Sequence, residues 1–400
     1  MSQLSVMQRA VAESGFDAWV LYDMRRSNDL AWDVLQLDPQ AHCTRRWMVI
    51  IPAQGRPVKL THRMEQDPLS HLNIEAVLYD TRSSWNEAVG ACLAPYKRIA
   101  MEYSPMGDLP VVSRVDAGMI DLVRSFGVEV GSSADMLQQF TAVLSEDQIA
   151  GACMAAGELR ETVMRAFELI ATAVGENRRI TEYDVQSFIL SEFKRKGLVT
   201  DSAPIVAIGP NAASPHYAPS IIRSSEITSE MVVLIDAWCR HDSPGSVFAD
   251  ITWVGYTSGH VPDDVESAFS IIRRGRDAAL ELVRERFAQG APIAGYEVDR
   301  ACRSVIEDAG MGHAFIHRTG HNITTQVHGP GANMDDFETH DTRQILPGTS
   351  FSIEPGTYLP DLMGLRTEID VIITHDRQVL VPSEPIQRHV LPILAEGWAA

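Results

Sequence analysis

Cysteine is scarce in this 400-residue chain: five residues (Cys43, Cys92, Cys153, Cys239, Cys302), scattered and without a Cys-x-x-Cys pair. An odd, dispersed set argues against a disulfide framework and a thiolate zinc site, and for a reducing compartment. Positive charge is also short. Lys and Arg number 34 against 53 Asp and Glu, a net charge of -19, which argues against nucleic acid or an anionic membrane as partner. No apolar run approaches membrane-spanning length, and residues Met1 to Arg9 lack the apolar core of a signal peptide. A cytoplasmic location is the expectation. There is no glycine-rich phosphate loop either.

What is present is an alternation of helical and extended patterns. The length exceeds the usual single-domain size, so two domains are expected, 1–143 and 144–400. In the first, Leu4 to Glu13 reads as an amphipathic helix stopped by Gly15, and Phe16 to Tyr22 as a strand. Arg46 to Ile51 and Pro57 to Thr61 read as a hairpin. A helix is expected over Trp85 to Leu93, a strand over Ile99 to Tyr103, a helix over Val111 to Ser125 and a strand over Val128 to Val130. These make a small α/β domain with no cluster of catalytic residue types. Ser145-Glu-Asp-Gln148 is a capping box that opens a long helix, with Ile149, Cys153, Ala156, Leu159, Val163, Phe167 and Ile170 on one stripe.

Beyond it the chain repeats itself. Tyr183 and Tyr296 each open a short helix ending fourteen residues later, at Gly197 and Gly310. Met231-Val-Val-Leu-Ile-Asp236 is an apolar run ending in an acid, and Asp250 follows fourteen residues on. Thr349-Ser-Phe-Ser-Ile-Glu354 has the same form, and Glu368 follows at the same interval, with Asp370 just beyond. The second domain therefore reads as two helix–helix–strand halves related by a pseudo-twofold axis. Carboxylates at the ends of apolar strands are costly to desolvate, and a bound cation offsets that cost. His317, His321 and His328 fall within twelve residues on strand-like sequence leading into the Gly329-Pro330-Gly331 turn. Oxygen donors with one imidazole and no thiolate suit manganese, cobalt or zinc.

In these residues the chain resembles the pita-bread metallopeptidases: aminopeptidase P, prolidase, methionine aminopeptidase and the related creatinase. The resemblance implies an α+β architecture, with a pseudo-twofold pita-bread catalytic domain after a smaller creatinase-like α/β domain. It implies two divalent ions, Mn2+ foremost with Zn2+ or Co2+ as alternatives, held by Asp236, Asp250, His321, Glu354 and Glu368. Asp250 and Glu368 would bridge both ions, Asp236 would hold one, and His321 and Glu354 the other. His216, His317 and His328 would hold substrate and stabilise the tetrahedral intermediate, and Arg366 would orient the bridging ligands. Glu354 would carry the proton to the leaving amine. The implied activity is that of an Xaa-Pro dipeptidase working through a metal-bridging hydroxide, in a homodimer acting on small peptides. Xaa-Pro aminopeptidase activity, and hydrolysis of a small non-peptide C–N bond as in ectoine-hydrolase or creatinase relatives, are the alternatives.

The chain also departs from the family pattern. The loop between Asp236 and Asp250 is long and ends Val247-Phe248-Ala249, Trp253 stands where an arginine is common, and Asn322-Ile-Thr-Thr-Gln replaces a glycine-rich segment. Trp238, Trp253 and Phe248 are expected as pocket walls. An altered pocket around Trp253 and Asn322 is what motivates the non-peptide alternative. The cationic group that would recognise a proline carboxylate is left open.

Overall fold

The computed structural model describes residues 3–398. The chain divides into two compact units that meet in sequence between Thr141 and Ala142. The first unit runs α1 (Gln3–Ser14), β1 (Ala18–Asp23), α2 (Asp29–Leu35), β2 (Trp47–Pro52), β3 (Val58–His62), β4 (Glu75–Tyr79), α3 (Arg82–Leu93), β5 (Arg98–Met101), α4 (Ala117–Ser125), β6 (Glu129–Ser132) and α5 (Ala134–Thr141). Its six strands form one mixed sheet in the order β4-β3-β2-β1-β5-β6. β1 and β2 are buried along their whole length, because both faces are covered. Trp19 and Leu21 enter one apolar cluster, and Ala18, Val20 and Tyr22 enter another.

One expectation here is corrected. The helix expected from Val111 begins only at Ala117, where the Asp116 side chain accepts the N–H of Met119. Upstream there is a 3-10 turn at Pro110–Val112, and the N–H groups of Arg114 and Val115 both donate to the Glu102 carbonyl. Those bonds hold the segment out of the helix.

The second unit begins with α6 (Glu146–Gly175) and α7 (Glu182–Lys196), then β7 (Leu198–Val199), β8 (Ile205–Ile208), α8 (Gly209–Ala212), β9 (Val232–His241) and β10 (Ala249–Tyr256). The pattern recurs with α9 (Asp263–Ala288), α10 (Gly295–Asp308), β11 (Asn322–Ile323), β12 (Ser350–Ile353), β13 (Gly356–Leu359), β14 (Met363–Arg366), β15 (Ile369–Ile373), β16 (Val379–Leu380) and β17 (Leu391–Pro392). Ser145 caps α6 through the expected capping box with Gln148. β9 and β10 form an antiparallel hairpin at the centre of one sheet, and β12 pairs antiparallel with β15 at the centre of another.

The two-residue period of these strands sorts their side chains. Odd positions Ile235, Ala237, Cys239, Ile251 and Trp253 pack with Leu159, Val163 and Phe167 of α6. Odd positions Phe351, Ile353, Ile369 and Val371 pack with Phe269, Ile272, Val298 and Cys302 of α9 and α10. The even positions, which carry the acids, are left to face the middle.

The histidine-bearing segment is not the strand that its sequence suggests. Only Asn322 and Ile323 pair with β12. The rest is irregular and pinned by side chains: Asn322 donates to the Ser350 carbonyl, and its Oδ1 accepts the N–H of Gly331.

Candidate metal centre

In the first hairpin Asp236 lies opposite Thr252 and Asp250 opposite Trp238. Directly opposed residues share a face, so these four side chains project together. In the second, Ser352 lies opposite Asp370 and Ile353 opposite Ile369. Glu354 and Glu368 follow one step past the end of that ladder, on the face of Ser352 and Asp370. The two acidic faces are joined by bonds between the halves. The Glu368 N–H donates to the Thr252 carbonyl at 3.2 Å. Thr252 Oγ1 donates to Glu368 Oε2 at 2.7 Å, and the Asp250 N–H to Asp370 Oδ2 at 2.8 Å.

Each short helix contributes one buried acid that holds a histidine-bearing loop. At the start of α7, Glu182 accepts from the Ile208 N–H, Asn211, the Tyr217 hydroxyl and the Ser225 N–H, which fixes the loop carrying His216. On α10, Asp299 accepts the Thr319 N–H at 2.9 Å and pairs with Arg303, which fixes the approach to His321. Gly320 then passes so close to β12 that a Cβ there would lie 1.9 Å from the Ser352 carbonyl oxygen.

These elements surround a cavity of about 580 Å3 lined by Asp236, Asp250, His321, Glu354, Glu368, His216, His317, His328 and Arg366, among others. Asp250, His321 and Glu368 place ligand atoms within 4.8 Å of one another. His321 Nε2 lies 3.3 Å from Glu354 Oε1 and 3.9 Å from Asp250 Oδ2, while its Nδ1 lies 3.3 Å from the Asn322 carbonyl. With Nδ1 donating to that carbonyl, the Nε2 lone pair faces carboxylate oxygens. Burial, reinforced by His328 and Arg318, holds the imidazole well below its usual range and therefore neutral.

The carboxylates show the converse strain. Asp250 Oδ1, Glu368 Oε1 and Asp370 Oδ1 are buried with no hydrogen-bond partner. Burial first, and then neighbouring acids, push Asp250 and Glu368 well above the ordinary carboxylate range. Burial likewise raises Glu354 to about 7, Arg366 opposing and Asp236 adding to the shift. Orphaned carboxyl oxygens clustered with a neutral imidazole are a donor set for hard divalent cations, whose charge would hold the acids ionised. The residues fit the group that the sequence implied.

Arg366 is buried and fully engaged: it pairs with Asp236 and donates to Thr252 Oγ1 at 3.1 Å and to the Tyr358 hydroxyl at 2.9 Å. It was expected to orient the bridging acids; it pairs with Asp236 and reaches Glu368 through Thr252. The Tyr358 hydroxyl lies 2.8 Å from His317 Nε2, and His317 Nδ1 lies 2.6 Å from the Arg318 carbonyl. His317 is consequently neutral, pushed by burial down to about 3, with both ring nitrogens engaged inside the protein. His328 stands open to the cavity, its ring edge-on to His321 at 4.3 Å between centroids, and His216 is exposed at the wall.

Two pocket residues are corrected. Trp238 lines the cavity and donates to Asp201, but Trp253 and Phe248 are buried in apolar clusters away from it. Trp253 is an odd position on β10, opposite in sense to Asp250 and Thr252. Asn322 is occupied in holding the loop. The changes that motivated a non-peptide substrate therefore lie outside the cavity wall. Sequence reasoning missed Thr252, Tyr358, Ser352 and Arg318; a period-two reading of β10 from Asp250 would have found Thr252.

The model of metallopeptidase family M24 matches residues 148–375. Among curated proteins, a probable dipeptidase PepE of Mycobacterium bovis is 28% identical over 350 residues, covering 86% of this chain and 85% of that one. An Xaa-Pro dipeptidase of Lactobacillus helveticus is 30% identical over 211 residues, 52% of this chain and 51% of that one. Among solved structures, dipeptidase PepE from Mycobacterium ulcerans matches with a TM-score of 0.67 at 22% identity, over 97% of this chain and 96% of that one. The shared architecture is the pita-bread fold.

Proposed function

Because this chain belongs to metallopeptidase family M24, we propose that it is a metal-dependent dipeptidase that cleaves the bond before a C-terminal proline. The observation that carries the reading is the cluster of Asp250, His321 and Glu368, whose ligand atoms lie within 4.8 Å of one another, with one oxygen of each acid buried and unpartnered. Asp236, Asp250, His321, Glu354 and Glu368 would hold two divalent cations. Bound there, the cations would supply an acidified water and polarise the scissile carbonyl.

The protein's own groups have separable tasks. Glu354 lines the cavity with its Oε1 3.3 Å from His321 Nε2, and would take a proton from the attacking water and pass it to the leaving amine. His328 and His216 present rings to the cavity and would contact the peptide. His317 keeps its nitrogens for Tyr358 and the backbone, and so positions Arg366 and Asp236. The apolar wall of Trp238, Val327, Ile205 and Pro215 suits a pyrrolidine ring. Manganese, a homodimer and a cytoplasmic setting complete the proposal. Among the described residues no helix is long and apolar enough to cross a membrane.

Metal analysis joined to a substrate panel tests it: Xaa-Pro dipeptides, longer Xaa-Pro peptides, and cyclic or guanidino amides. Dipeptide hydrolysis that falls on chelation and returns with Mn2+ is expected. Full activity in chelator, or in Asp236→Ala or Glu368→Ala, would sink the reading.

A further inference from the structure

The proposed dipeptide differs from a longer peptide in one respect that the cavity must read: a free carboxylate one residue past the scissile bond. Of the six carboxylates that line the cavity, Asp236, Asp250, Glu354 and Glu368 are proposed ligands of the cations, which leaves Asp201 and Glu338 beside two guanidiniums, Arg318 and Arg366. Arg366 cannot serve. It is buried, and each of its three guanidinium nitrogens already donates, to Asp236, Thr252 or Tyr358.

Arg318 is different. It lines the cavity and is half-buried, and among the described residues no hydrogen bond or ion pair engages its side chain. Its backbone carbonyl is fixed by His317, so the base of the side chain is anchored. It lines the same cavity as Glu354, His317, His321 and His328. A cation in an acidic cavity with no acid committed to it is a receptor for an anion brought by the ligand, and a guanidinium fork matches a carboxylate in two parallel bonds.

We infer that Arg318 binds the free C-terminal carboxylate of the substrate, and so makes this site a dipeptidase rather than an aminopeptidase. The inference rests on the peptidase reading above and supplies the specificity element that reading lacks. A purely electrostatic part for Arg318, tuning Glu354, would act on every substrate alike. An anchor acts only on those with a free carboxylate.

The Mn2+-loaded protein and its Arg318→Met, Arg318→Gln and Arg318→Lys variants are assayed on Ala-Pro and on Ala-Pro amide, with thermal unfolding as the check of fold. The wild type should favour the free acid. In Arg318→Met the ratio of kcat/KM for acid over amide should fall roughly 10- to 100-fold, carried mainly by KM, as expected for loss of a charge-assisted pair. Arg318→Lys should recover part of it, and Arg318→Gln provides the same reading where the Met variant is unstable. A ratio unchanged within about twofold of wild type, or a wild type that prefers the amide, overturns the inference. If the wild type cleaves neither peptide, the dipeptidase reading alone has failed. Calorimetric binding then decides: preference for Ala-Pro over its amide, lost in Arg318→Met, upholds Arg318 as a carboxylate receptor, and equal affinities overturn it.

Discussion

Gly320 makes a tight backbone crossing next to the site, and replacing it with alanine should cost both stability and activity. The added Cβ would lie 1.9 Å from the Ser352 carbonyl oxygen and 2.7 Å from its carbon. Ordinary contact begins near 3.4 Å, so the two segments must part by about 1.5 Å. Three hydrogen bonds span that crossing: Ser352 N–H to the His321 carbonyl at 2.9 Å, Glu354 N–H to the Thr319 carbonyl at 2.7 Å, and His321 N–H to Ser352 Oγ at 3.0 Å. Each would exceed hydrogen-bonding range. At about 0.5–1.5 kcal/mol apiece the loss is roughly 2–4 kcal/mol, in keeping with the cost of overpacking a rigid core. For a unit of this size that lowers Tm by on the order of 5–15 °C. Because the same crossing sets His321 against Glu354, kcat/KM should drop by at least about 100-fold even in the folded variant. Thermal unfolding, metal content and dipeptide hydrolysis are measured together. Gly151→Ala and Gly157→Ala serve as controls: both lie within α6 with nothing near the added carbon, and each should stabilise by about 0.5–1 kcal/mol. A Gly320→Ala protein with wild-type Tm and activity would refute the argument that this contact positions the histidine.

Three further outcomes are expected. Mn2+ added to chelated protein at about a hundredfold excess over its dissociation constant should add about 2.7 kcal/mol of stability; a thermal-shift titration checks it, and Asp250→Asn should abolish the response. Arg366→Met leaves Asp236 buried without its partner and should cost about 3–5 kcal/mol by denaturant unfolding, with Arg366→Lys a poor substitute because three separate acceptors need the fork. In the first unit, burial raises the Glu102 carboxyl above 4.5 despite donors from Trp19, Asn28 and Ser133. The folded state thus holds the proton more tightly than the unfolded chain. The stability that Glu102 contributes is full below pH 4.5 and is lost as pH rises through the higher folded value. Glu102→Gln, neutral throughout, should flatten that slope in urea melts run across pH, and an unchanged slope counts against it.

Much of the frame was legible because it rests on local rules. The capping box at Ser145, the apolar stripe of α6 and the matched helices opened at Tyr183 and Tyr296 all report patterns that depend on near neighbours. The candidate ligands were legible for a different reason: acids at the ends of apolar strands are costly unless something binds them. What could not be read was partner choice across long separations. Trp253 looks like a pocket residue by proximity to Asp250, yet an odd position on β10 points into the α6 core. Arg366 sits two residues from Glu368 but spends its charge on Asp236, 130 positions away. Asn322 looks like a lost glycine and is the loop's principal hydrogen-bonding post.

The equal spacing of the two acidic pairs also conceals a difference that the strand registers expose. Asp236 and Asp250 stand two positions apart in the register of the first hairpin, opposite Thr252 and Trp238, whereas Glu354 and Glu368 both lie one residue past the last rung of the second ladder, Ile353 opposite Ile369. Matched intervals therefore do not give matched geometry, and the symmetry is completed by exchange rather than by repetition. Asp236 takes its arginine from the second half, Glu368 takes its hydroxyl donor from Thr252 in the first, and Asp370 receives the N–H of Asp250. Each half leaves buried polar groups that only the other satisfies. A half folded alone would expose or orphan them at about 1–3 kcal/mol per group, so the acidic centre forms only as the two sheets dock, and the same bonds that assemble the site hold the duplicated domain together.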